Sequence, residues 1–101
     1  MKVEGFNWDA GNKKKSERHG IRIDIIEDFF RDDIWVAPDP KHSLKEERFL
    51  AVGRSRLGRP MVVVFTFREI EGRKLIRPIS ARCMHKKEAR KYEEAFAKTE
   101  E

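Results

Sequence analysis

Residues 49–82, FLAVGRSRLGRPMVVVFTFREIEGRKLIRPISAR, read as three strands joined by two tight turns. FLAVGRS, MVVVFTF and KLIRPISAR are rich in apolar and β-branched residues, and LGRP and EIEGR each carry a glycine where the chain must reverse. Consecutive hairpins of this kind make an antiparallel sheet. The central runs are apolar on both faces, which predicts that both faces are covered. Gly53, just before Arg54, predicts a bulge or a close backbone approach, and Pro78, which cannot donate to a ladder, predicts an edge position or a bulge for the last strand.

Two arginines interrupt that last strand. By strict alternation Arg77 shares a face with Leu75, Ile79 and Ala81, while Arg82 follows Ile76, Pro78 and Ser80. For any single strand arginine the ordinary role is an edge charge that discourages aggregation, or a partner for a nearby glutamate. Five positions is an odd spacing, so an unbroken pleat sends the two side chains to opposite faces. A bulge at Pro78 would shift the parity, as would an Arg82 that has left the pleat, and either would let both join Arg54 on one phosphate-sized site.

Upstream, FNWDAGNKKKSERHG reads as a polar helix capped by Asp9, ended by Gly20 and anchored by Phe6 and Trp8. His19 near its end suits the helix dipole better than chemistry. A second helix follows, with Asp24 and Glu27 at capping-box spacing and Ile25, Ile26, Phe29 and Phe30 forming the apolar stripe of a core helix. Ile34, Trp35 and Val36 start a short strand that Pro38 and Pro40 stop. Downstream, HKKEARKYEEAF is helical, with Ala89, Tyr92 and Phe96 on one side and Lys86, Lys87, Arg90 and Lys91 around it; the tail from Lys98 is expected to fray. The sum is one α+β domain over residues 1–101: two N-terminal helices, a four-stranded antiparallel sheet and a C-terminal helix.

Charge is distributed unevenly along the 101 residues. Residues 54–91 hold twelve Lys or Arg against three acids, or +9, whereas residues 1–50 hold ten against eleven, or −1. A basic half favours a polyanionic ligand, nucleic acid ahead of membrane, because no basic helix carries a broad apolar face. Solubility alone also explains such a charge. Cys83 has no partner for an internal disulfide, and His19, His42 and His85 lack metal-ligand spacing, so neither zinc nor another cofactor is expected. No run approaches the ~20 apolar residues of a membrane span, and MKVEGFNWD lacks a signal peptide's apolar centre, which predicts a cytoplasmic protein.

The order of elements meets a resemblance in FNWDAGNKKKSERHG, DPKHS, EERFLAVGRS with its LGR turn, VVVFTFRE and IRPISARCMHKKEARKYE. Together these resemble the BrnT toxins of bacterial type II toxin–antitoxin systems, nearly end to end. The resemblance implies a RelE-like fold, metal-independent RNA cleavage that inhibits translation and growth, and a hetero-oligomer with a neutralising BrnA-like ribbon-helix-helix antitoxin. Cys83 stands where such sequences commonly have Lys, and His85 where a helix-capping Thr is usual.

Cutting RNA without metal needs a base for the 2′-hydroxyl, cations for the charge gathering on phosphorus, and an acid for the leaving oxygen. Arginine's planar fork suits the second task and favours Arg54, Arg77 and Arg82. His42 and Glu47 are candidate bases and Tyr92 a candidate acid; Glu47 is equally an ion-pair partner, and Tyr92 equally a core residue with a wet hydroxyl. Lys86, Lys87, Arg90 and Lys91 are candidate RNA contacts. A basic nucleic-acid-binding domain without catalysis is the alternative, and a module for an acidic protein partner a third reading.

Overall fold

A computed structural model describes residues 1–100, without the side chains of His42, Lys98, Thr99 and Glu100. Its elements are α1 (Ala10–Glu17), α2 (Ile23–Arg31), β1 (Trp35–Pro38), a 3-10 turn (Pro40–His42), β2 (Phe49–Arg54), β3 (Pro60–Ile70), β4 (Arg73–Cys83) and α3 (Lys86–Glu100). The strands form one antiparallel sheet in sequence order, β1-β2-β3-β4, as the hairpin reading predicts. Glu71 and Gly72, both with positive φ (52° and 76°), make the two-residue β3–β4 reversal whose twist matches the flanking strands. Gly53 marks a close approach: a Cβ there would lie 2.7 Å from Ile34 Cγ2.

Helix α2 lies against one face of the sheet, where Phe29, Phe30, Ile26, Met61, Val63 and Phe65 are fully buried, and α1 packs along β4. The α2 stripe is the predicted one, with Phe30 edge-on to Phe65 at 5.0 Å. Phe6 packs 6.0 Å from Phe30, and Trp8 Nε1 donates to Glu27 at 3.0 Å, so both act as the expected anchors. The capping box predicted at Asp24 and Glu27 does not form. Because α2 starts at Ile23 after Arg22, Asp24 sits inside the first turn and binds Arg22 and Arg56, while Glu27 is taken by Trp8.

Cover on both faces is a second expectation the structure corrects. On the face away from α2, Leu50, Val52, Val62 and Val64 are only half-buried. There α3 reaches the sheet at one end, where Tyr92 and Phe96 lie 5.6 and 6.3 Å from Trp35. That helix spans Lys86–Glu100.

The β3–β4 register holds the feature on which the arginines turn. Pro78 faces Phe65 and Ser80 faces Val64, so Ile79 is an extra residue with no partner across the ladder. Below this bulge Ile76 and Pro78 point into the core; above it Ala81 does. Arg77 and Arg82 therefore share the open face, contrary to simple alternation and as a bulge beside Pro78 predicts.

Asn12 holds the bulge from α1. Its buried side chain donates to the carbonyls of Asn7 (3.0 Å) and Pro78 (2.8 Å), and its Oδ1 accepts the Asp9 N–H (2.7 Å). The Asn12 N–H returns a bond to Asp9 Oδ1, completing a reciprocal capping box. Asn12→Ala would leave two carbonyls and one N–H short of partners, and the expected outcome is a loss of about 3 kcal/mol in urea unfolding. A loss near zero would mean that the bulge is held by strand pairing alone.

Candidate functional site

The open face carries the site residues because the even-numbered positions of β2 and β3 point there. Arg54 ends β2 opposite Pro60, and Arg82 lies opposite Val62, one strand further on. Two strand spacings and two residues of rise place their Cα atoms about 12 Å apart. The partners of Arg77 and Arg82 on β3, Thr66 and Val62, are four residues or about 13 Å apart. The three arginines thus share a face without closing on a single phosphate.

Each is held by its own carboxylate. Arg77 binds Asp9 at 2.9 Å and Asn7 Oδ1 at 2.9 Å. Arg54 binds Glu93 at 3.1 Å and the Gly58 carbonyl at 2.9 Å. Arg82 lays both terminal nitrogens on Glu88, at 2.7 and 2.9 Å, in the two-pronged geometry that guanidinium also offers a phosphate. Glu88 accepts the His85 N–H as well (3.0 Å), so one carboxylate ties the end of β4 to the first turn of α3. It supplies the N3 half of a capping box, reaching back to the N–H of His85 at the start of the helix. The Arg82 fork, followed by the His85 N–H, holds the Glu88 carboxyl down from its ordinary 4.5 to about 2.

Arg82 also borders a cleft of about 350 Å³ with Asp39, Lys41, Leu50, Val64 and Ser80. Asp39 precedes the 3-10 turn Pro40–His42 and Lys41 lies within it, so the backbone carrying His42 stands over this cleft, while the His42 side chain lies outside the described residues. Lys41, Asp39 and Ser80 escape sequence reading because only the fold of the loop over β4 brings them to Arg82. Tyr92 sits at the Arg54 end, half-buried against Trp35 and Phe96, and burial pushes its hydroxyl pKa up. Glu47 is exposed beside Thr66 and Arg68, towards the Arg77 end, and its carbonyl accepts the Thr66 hydroxyl at 2.7 Å. Lys86, Lys87, Arg90 and Lys91 are exposed on α3 and form no ion pair among the described residues.

Among the described residues no three of His, Cys, Asp and Glu come together as a metal ligand set, and no helix is long and apolar enough to cross a membrane. An α+β domain whose uncovered sheet face is ringed by arginines from three strands has the surface of a protein that handles polyanions. Residues 8–88 match the family described as the ribonuclease toxin, BrnT, of type II toxin–antitoxin systems. The chain belongs to that family, and is a ribonuclease toxin whose system includes an antitoxin partner. No curated protein matches the chain.

The Glu88 contact generates a pH prediction. A carboxyl whose folded pKa is depressed contributes stability above its unfolded value, and that contribution disappears as pH falls through the folded value. Docking of α3, followed by fluorescence of Trp35 against that of Trp8-only variants, is expected to weaken between about pH 4.5 and about pH 2. Glu88→Gln should flatten that limb; an unchanged acid limb would place the transition elsewhere.

Proposed function

We propose that this toxin cleaves RNA on the open sheet face without a metal, by attack of a ribose 2′-hydroxyl on the adjacent phosphorus. The observation that carries the reading is the Ile79 bulge, which supports a common face for Arg77, Arg82 and Arg54. Arg82 and Lys41 grip the scissile phosphate in the cleft below the 3-10 turn. Phosphate oxygens take the Arg82 fork in exchange for Glu88, and charge developing on phosphorus strengthens that contact in the transition state. The turn bearing His42 is in place to supply the base. Arg54 receives the strand on one side, where Tyr92 is the acid that gives its proton to the 5′-oxygen as the P–O5′ bond breaks, and Arg77 with Glu47 receives it on the other. Lys86, Lys87, Arg90 and Lys91 extend the cationic track along α3, as backbone contacts without sequence choice.

Cleavage of this kind would stop translation and growth in the cytoplasm, so the toxin is kept in a hetero-oligomer with its antitoxin, a BrnA-like ribbon-helix-helix protein. Trp35, Val36 and Phe96, each more than a third exposed at one edge of the sheet, support a protein partner there.

Incubating the purified protein with RNA in chelator tests the chemistry. Cleavage is expected to persist, and Arg82→Lys, which keeps the charge and loses the fork, should lower the cleavage rate about 100-fold while RNA affinity changes a few-fold. Binding without cleavage would make this a nucleic-acid-binding domain, and full activity in Arg82→Lys would remove Arg82 from the reaction.

A further inference from the structure

A second cationic cleft lies on the same face, away from Arg82. It encloses about 270 Å³ between α1 and the sheet, and four separate segments bring cations to it: Lys15 from α1, Arg48 before β2, Arg68 from β3 and Arg77 from β4. Two carboxylates answer the four charges. Glu46 is shared, with one oxygen 3.4 Å from Arg48 and the other on Arg68, and Asp9 holds Arg77. Lys15 forms no ion pair among the described residues, and the Arg48 Nε–H is buried without an acceptor.

Such an arrangement is poor as a purely structural network. One carboxylate cannot satisfy two guanidinium groups with five donors each, and a buried N–H without an acceptor costs stability. A tetrahedral anion with several free oxygens matches the surplus of donors and of charge. The geometry points to a subsite for an RNA backbone phosphodiester, distinct from the scissile one, formed by Lys15, Arg48, Arg68 and Arg77. It rests on the reading of the open face as an RNA surface. Since Arg77 and Arg82 stand about 13 Å apart, the phosphate held here belongs to a nucleotide some steps along the strand, and its capture sets the register in which a bond reaches Arg82. Glu46 and Asp9 are then the anions that the phosphate displaces.

The test measures steady-state cleavage of a short RNA, and its binding by fluorescence anisotropy across salt, for Lys15→Gln, Arg68→Gln and Glu46→Gln. The two cation variants are expected to raise KM about 3- to 10-fold, carrying most of the loss in kcat/KM, and to lower the slope of log affinity against log salt by about one each. Glu46→Gln removes the competing carboxylate and should tighten RNA binding, which a structural ion pair would not do. Lys15 is exposed on α1, so Lys15→Gln reads out even if Arg68→Gln fails to fold. Cleavage with KM and salt slope indifferent to Lys15→Gln and Glu46→Gln overturns the subsite alone. A wild-type protein that neither binds nor cuts RNA overturns the reading beneath it as well. Inorganic phosphate that displaces the RNA as well as a dinucleotide does would make the cleft a site for free phosphate and reject the backbone assignment.

Discussion

The extra residue at Ile79 is the constraint on which the functional face depends. Without it, β4 would alternate unbroken, and Arg82 would point beneath the sheet into a core of Met61, Val63 and the α2 phenylalanines, where an unpaired guanidinium is untenable. Pro78 cannot donate a ladder bond, so the strand loses little by breaking register beside it. Asn12 then takes the Pro78 carbonyl. A buried amide on a short polar helix thereby sets the direction of an arginine on a strand sixty-five positions and more away in sequence.

The two faces of the sheet divide the work of stability and function. Under α2 the contacts are aromatic and aliphatic, close-packed, and indifferent to salt. On the open face the apolar floor of Leu50, Val52, Val62 and Val64 stays half-buried, and Arg54, Arg77 and Arg82 around it are each paired with a carboxylate from another part of the chain. Surface ion pairs of that kind contribute little stability each, and their partners exchange readily for other anions. A polyanion can therefore enter the face without dismantling the fold.

The carboxylates also link the face to α3. Glu88 and Glu93 bind Arg82 and Arg54, so the same helix that holds four exposed cations is latched by the arginines proposed for RNA. Apart from the Trp35 contact, those latches are the chief ties between α3 and the sheet's open face. Phosphate bound at Arg82, as proposed, would compete with Glu88 for the fork and so be coupled to the seating of α3.

Much of this chain was legible before any fold was known. Strand runs, glycine turns, the α2 stripe and the Asp9 cap are set by neighbours a few residues apart, and local physics reads them correctly. The Asp24 cap was misread because Arg56, twenty-eight or more positions from the carboxylates it recruits on α2, competes for Asp24. Family membership was likewise legible, since ordered words such as DPKHS and IRPISAR survive as sequence. What tertiary structure alone decided is the parity of β4, the carboxylate that holds each arginine, and the meeting of Lys15, Arg48 and Arg68 with Arg77. Pairing across a ladder and contact between distant segments fix these, and neither leaves a periodicity in the sequence.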